Sequence, residues 1–350
     1  MKETLLTIAN RLGISMTTVS RVLSGNAEKY RISNKTRDMV MNEAQRCHYT
    51  PSAVARSLRT QRSNMIGLIL PSVSNKYFAD IAAVVISECR QKGYSAIVMD
   101  VSENEGFQKE SIRSLAAREV DGLIIAPCGD DPSQLEMVDE MHFPVVLVDR
   151  YFENSRLSYV TTNNYQGGMT AVRHLISNGH SRIARIQGVE TSLPNRKRVE
   201  GYVSAMKEAG LDEHIRVTGN DFSVQNGYVE TRLLLNSSPR PTAIFALSNT
   251  IALGTFKAIK ESGLKIPDDI SLISFDDNVY LDYMEPPVTR IIQPVEDMAK
   301  LSVRILLGKI EDRRLRCESA DSPGKDNCKS VLHLAPKLVR RDSVCVPFCD

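Results

Sequence analysis

The chain has 350 residues, 42% of them apolar and 25% charged, with a net charge of +2. That length holds a small head and two medium domains with substantial cores. No apolar run nears the roughly eighteen residues of a membrane span, and the first residues lack the apolar core of a secretory leader, so a soluble cytoplasmic protein is expected. The charge is unevenly placed. Residues 1–63 carry +7 and the remaining 287 carry −5, a basic head on a mildly acidic body, which points to a polyanionic partner for the head alone.

Residues 4–24, TLLTIANRLGISMTTVSRVLS, place apolar side chains at Leu5, Ile8, Ala9 and Leu12 and again at Ile14, Val19, Val22 and Leu23. These are two short helical stripes meeting across Gly13. Glycine tolerates the turn, Ser15 can cap the second helix, and small Ala9 lets the helices approach closely. The outward face of the second helix holds Met16, Thr17, Ser20 and Arg21. Those types read a major groove: an arginine for a guanine edge or a phosphate, hydroxyls for either, and an apolar side chain for a thymine methyl. An ordinary helical hairpin with a solvated face has the same pattern; the basic charge tips the reading towards DNA. A third helix over 33–47, capped by Ser33, closes a three-helix core with Thr36, Met39, Val40, Glu43 and Ala44 at helical spacing.

Residues 49–60 read YTPSAVARSLRT. Pro51 can open a short helix that exposes Ala53, Val54 and Leu58 beside Arg56 and Arg59. An apolar face so small is no core. It suits a minor groove, where an inserted side chain unstacks a base step and bends the duplex; a solvated linker helix is the plain alternative. The order TIANRLGIS, TVSRVL, a third helix, YTPSAVARSL and an α/β body resembles the lactose-repressor and purine-repressor (LacI) family of bacterial transcription regulators over essentially the whole chain.

The resemblance implies an all-α helix-turn-helix head with a hinge helix, then an α/β, two-lobed, periplasmic-binding-protein-like body with parallel sheets. It implies DNA contacts from Thr7, Met16, Thr17, Thr18, Ser20 and Arg21 in the head and from Val54, Ala55, Leu58 and Arg59 in the hinge. Leu58, paired with its dimer mate, would wedge into the minor groove of a near-palindromic double-stranded operator bound by a homodimer. The connection over 24–32, SGNAEKYRI, is longer than is usual in the family. Its Lys29 and Arg31 can add phosphate contacts, or the insertion can be padding; the residues leave both open.

From Asn64 on, short apolar runs alternate with amphipathic helices, the pattern of a parallel sheet covered on both faces. The runs are MIGLILP (65–71), SAIVMD (95–100), DGLIIAP (121–127) and PVVLVDR (144–150), then HSRIARIQG (180–188), TAIFALSN (242–249) and ISLISFDD (270–277). Helices are expected over 78–92, 106–118, 165–178, 198–209, 226–235 and 250–262. Two similar series make two lobes. In the resembled family the chain crosses between lobes three times, which places crossings near residues 162, 293 and 325. The expected organisation is a head over 1–50, a hinge over 51–63, a body over 64–344 and a tail over 345–350. Lobe one then takes 64–162 and 294–325, and lobe two 163–293 and 326–344.

Ligands of open parallel sheets lie beyond the carboxyl ends of the strands. That rule nominates Phe78 after the first strand, Asp149 and Arg150 after the fourth, and the loop reaching Arg198. It also nominates Ser248 and Asn249, and Asp276. An aromatic plate, carboxylates, an amide and an arginine suit a small polyhydroxylated or heterocyclic ligand. The plain readings are helix caps for the acids and core packing for Phe78. Arg198, Asp276 and Phe222 also match effector-contacting positions of the family, and with no tryptophan in the chain any ring stacking falls to Phe78, Phe222 or Tyr77. Ser192 and Pro194 stand where the purine-repressor pattern has an arginine and a threonine, and Asn249 stands where many relatives have aspartate. A sugar or sugar phosphate is therefore the expected effector, with a purine corepressor as the alternative.

Catalysis is not expected. GxGxxG, GxxxxGK[ST] and GxSxG are all missing from their usual contexts, and the six histidines have no metal spacing. The adjacent Asp276 and Asp277 diverge on a strand end. Seven cysteines without CxxC pairs read as free thiols, and neither a metal nor a cofactor is expected. A transport-type sugar receptor would lack the basic head.

Overall fold

The computed structural model describes residues 3–49, 62–141, 143–318 and 329–347. The chain forms two compact units, Met1–Asn64 and Met65–Asp350. In the first, helices α1 (Leu5–Leu12), α2 (Met16–Leu23) and α3 (Asn34–Arg46) start on Thr4, Ser15 and Ser33, each of whose hydroxyls accepts a backbone N–H of the first turn. Gly13 ends α1 with φ 65°, the left-handed conformation that favours glycine. Ile8, Ala9, Val19, Val22, Val40 and Ala44 fill the core, joined by Ala27 from the long connection. That insertion is therefore anchored in the head.

Among the described residues the second unit contains two six-stranded sheets. The first is built from β1 (Met65–Leu70), β2 (Ser95–Asp100), β3 (Gly122–Ile125), β4 (Val145–Val148) and β5 (Ser158–Thr162), with helices α4 (Lys76–Gln91), α5 (Glu105–Ala117) and α6 (Ser133–Glu140) between them. After α7 (Asn164–Ser177) the second follows with β6 (Ile183–Ile186), α8 (Leu193–Glu208), β7 (Arg216–Thr218), α9 (Val224–Leu235) and β8 (Ala243–Ala246). It continues through α10 (Asn249–Glu261), β9 (Ser271–Phe275), α11 (Tyr280–Tyr283) and β10 (Thr289–Ile292). Each sheet is buried on both faces. On β1, Ile66, Leu68 and Leu70 enter one core and Ile69 the opposite one, which is why the strand reads as an unbroken apolar run.

The chain crosses between lobes after β5 and again after β10. The third crossing is not near residue 325. Helix α12 (Val295–Glu318) packs Met298, Ala299, Val303 and Leu306 into lobe one, and β11 (Val331–Leu334) then pairs parallel with β5, Val331 opposite Tyr159 and Leu334 opposite Thr162. Only after Pro336 does β12 (Lys337–Val339) pair antiparallel with β10. Residues 331–334 therefore belong to lobe one, because their backbone completes that sheet's edge.

The tail is also more integrated than expected. Cys345 N–H donates to Ser271 Oγ at 3.1 Å, and the Cys345 carbonyl lies 2.9 Å from His180 Nε2. His180 Nδ1 meets Thr242 Oγ1 at 2.9 Å, so the ring joins Cys345 to lobe two.

Candidate functional site

The head presents α2 much as its sequence suggests. Met16 is 51% exposed, Thr17 is exposed, and Ser20 and Arg21 are half-buried on the same side. Two of the predicted contacts are otherwise engaged. Thr7 Oγ1 is spent in the capping box of α1, and Thr18 lies half-buried with its hydroxyl 2.8 Å from that of the cap residue Ser15. Val54, Ala55, Leu58 and Arg59 lie outside the described residues.

In the body, two carboxylates anchor the site. Asp149 follows β4 and Asp276 follows β9, and both take left-handed φ values, 64° and 70°. Such backbone costs an ordinary side chain of order 1 kcal/mol or more and is concentrated at binding sites. Here it turns a carboxylate off the end of each sheet. The Tyr77 hydroxyl donates to Asp149 Oδ1 at 2.6 Å and lies 3.2 Å from Gln293 Oε1. Gln293 Nε2 donates to Asp276 Oδ1 at 2.5 Å, and Arg198 Nη2 stands 3.7 Å from the same oxygen. The chain of contacts thus spans both lobes, through a glutamine at the second crossing.

Arg198 is fixed on three sides. Its Nε donates to Asn164 Oδ1 at 2.8 Å, its Nη1 to the Leu247 carbonyl at 2.7 Å, and its guanidinium lies 3.7 Å over the Phe275 ring. It sits within α8, which starts five residues earlier than the sequence pattern indicated because Pro194 opens the first turn. Phe78 is buried against Tyr77 edge to face, at 5.2 Å between centroids, with the Arg150 guanidinium 5.6 Å from its ring. Arg150 is held bidentately by Glu103, both bonds at 2.7 Å. Asp277 does diverge from Asp276, accepting from Arg290 Nε at 2.6 Å.

The remaining predicted residues stand apart from this chain. Ser248 Oγ caps α10, Asn249 Nδ2 reaches the Asp277 carbonyl at 3.4 Å, and Phe222 packs over Gly188, where a Cβ would collide with its ring. Ser192 lines a cavity of about 450 Å³ between the lobes, beside Arg150, Tyr151, Leu193 and Arg196. Gln293, Asn164 and Glu103 were missed. The first stands at a strand end and was open to the carboxyl-end rule.

Burial pushes the Asp149 carboxyl up, opposed by the Tyr77 hydrogen bond and by Arg150; burial likewise raises Asp276, opposed by Arg198. For a carboxyl raised above its ordinary 3.8, the stability contribution is full below that value and is lost as pH rises through the raised one. Asp276→Asn is therefore expected to melt above the parent at pH 7 without ligand, the gap closing below about pH 4; a gap independent of pH would contradict it.

A model of the lacI family of bacterial regulatory proteins matches residues 4–52, and one of periplasmic binding proteins and the sugar-binding domain of the LacI family matches 63–308. The chain belongs to the LacI family. It is 33% identical to the ribose operon repressor of Haemophilus influenzae, over 97% of this chain and 98% of that one. It is 32% identical to the HTH-type transcriptional repressor PurR of Vibrio atlanticus, with the same coverage. A crystal structure of the lac repressor dimer bound to operator and an anti-inducer superposes with TM-score 0.86 and 27% identity, over 99% of this chain and all of that one. This LacI-family member is thus a DNA-binding transcriptional regulator, not an enzyme, of a kind controlled by small effectors. No helix among the described residues is long and apolar enough to cross a membrane.

Proposed function

We propose that this chain is a cytoplasmic homodimeric repressor that binds a near-palindromic operator and senses a sugar between its lobes. A single head reads only a few base pairs, so two heads are needed for useful specificity. In this reading α2 enters the major groove with Met16, Thr17, Ser20 and Arg21, and residues 54–59 take the minor groove.

The observation that carries the effector class is the pair of buried carboxylates, Asp149 and Asp276, one from each lobe, with Gln293 and Arg198 between and beside them. Carboxylates accept only, so they favour a ligand rich in hydroxyl donors; the arginine and amide supply donors for hydroxyl or ring oxygens. A purine offers fewer donors, and Ser192 and Pro194 replace side chains that the purine-repressor pattern uses. The similarity to a purine repressor keeps a purine as the second reading.

A thermal-shift screen of the full chain against pentoses, hexoses, their phosphates and purines tests this. A ligand at a hundred times its Kd adds about 2.7 kcal/mol. A shift with a sugar and none with purines is expected, and the reverse overturns the proposal. Sugar affinity should also fall on acidification, starting above pH 3.8, because protonation turns one acceptor oxygen of Asp149 and of Asp276 into a donor and removes the charge. Calorimetry between pH 4 and 8 reads this.

A further inference from the structure

The long connection between α2 and α3 is the one motif of the head that DNA reading leaves unexplained. It carries Tyr30, whose ring lies 3.9 Å beneath the Arg21 guanidinium. The backbone around that ring is tied down. Asn26 N–H donates to the Arg21 carbonyl at 3.0 Å, Tyr30 N–H to Asn26 at 3.2 Å and Ile32 N–H to Ala27 at 2.9 Å. Ala27 and Ile32 pack into the head core on either side, whereas Tyr30 is 45% exposed and outside that core. The ring is thus held firmly at a place where it contributes little to the core.

Arg21 also differs from its neighbours. Arg11, Arg37 and Arg46 each meet a carboxylate; among the described residues Arg21 and Arg31 meet none, and of these two only Arg21 is stacked on a ring. Contact through the face of a guanidinium uses none of its five N–H groups, which lie in its plane. An arginine so stacked is pre-oriented with its donors free, and loses less side-chain freedom when it meets a base edge.

We propose that Tyr30 is a positioning residue for Arg21, sharpening base discrimination at the position Arg21 reads. The inference rests on the base-reading assignment of Arg21, and the test separates the two. The full-length chain selects from a duplex DNA pool with a randomised core, and the preference at each position is compared among variants. Arg21→Ala should flatten one position per half-site. Tyr30→Ala should weaken the preference at that same position by about two- to fivefold, the scale of an exposed cation–π contact, and spare the others. Tyr30→Phe should restore it, because the ring face remains. Lys35→Ala, which removes an exposed cation from the first turn of α3 that can meet only phosphate charge, should weaken every sequence alike.

A Tyr30→Ala variant as selective as the parent would overturn the inference, as would one that weakens all sequences equally. So would a Tyr30→Phe variant no better than Tyr30→Ala, which would assign the effect to the hydroxyl. If Arg21→Ala flattens no position, the base-reading assignment falls and takes this inference with it. If Arg21→Ala flattens one and Tyr30→Ala none, only the inference falls.

Discussion

Asp276→Asn is expected to leave operator binding intact and to abolish the influence of a sugar on it. Asparagine tolerates the left-handed backbone at this position better than alanine, so the substitution removes charge while disturbing the corner little. What it takes away is the negative charge of the carboxylate that meets Gln293 and faces Arg198, and so of the contact that links the second lobe to the first through Tyr77 and Asp149. A ligand shifts the lobes only by its differential affinity for their two arrangements, and effector and DNA affinities are coupled reciprocally, by typically 1–3 kcal/mol, or about 5- to 150-fold. Arg198→Ala should behave likewise. Fluorescence anisotropy with a selected operator, with and without the sugar found by thermal shift, reads the coupling; an unchanged response would show the cleft to be the wrong site. Leu58→Gly should do the converse, weakening operator binding while sparing the sugar.

Arg185→Met should raise the stability of the body by about 1–3 kcal/mol, a melting-temperature gain of roughly 3–8 °C. Arg185 lies on β6 with no exposed surface, and its Nε and Nη1 find no hydrogen-bond partner among the described residues. Its Nη2 reaches Gln187 Oε1 at a long 3.3 Å, and the Tyr202 ring is 5.6 Å away. Burial drags the guanidinium pKa down to about 10, the sign of a charge held at a cost. Methionine fills similar space with no charge to desolvate, and Gln187 Oε1 keeps a donor in Asn195. A drop in melting temperature would mean that Arg185 holds the lobe together by contacts the hydrogen-bond geometry does not reveal.

How much of this was legible in the sequence depended on how unbroken each element's apolar pattern is. The head was readable nearly residue by residue, because Thr4, Ser15, Ser33 and Gly13 mark helix ends chemically and its helices are amphipathic. Central strands such as β1 and β3 stood out as apolar runs. β7, RVT, and β11, VLHL, did not, being half-exposed and short, and β11 hid the position of the last crossing; the buried β5, SYVTT, and β10, TRII, also went unread, because hydroxyls and an arginine interrupt their apolar runs. The 24 residues of α12 went unassigned because charges interrupt their apolar face, which lobe one covers from Val295 to Ile310. In the cleft, Asp149 and Asp276 followed from their strand ends. Asn164 did not, since an amide in TTNN reads as a helix cap until the fold brings Arg198 to it.

The placement of β11 and β12 bears on how the body can be taken apart. Neither lobe is a contiguous stretch, because the last described strand of each is supplied by the same short C-terminal passage, β11 to the first and β12 to the second. No single cut yields a whole lobe. A truncation before residue 331 would strip an edge strand from both sheets at once, so separate expression of an isolated sensor half demands a circularly permuted or stitched gene rather than a deletion. A stop codon before residue 331 would then strike the entire effector-binding body at once, while the compact unit Met1–Asn64 would keep all its residues.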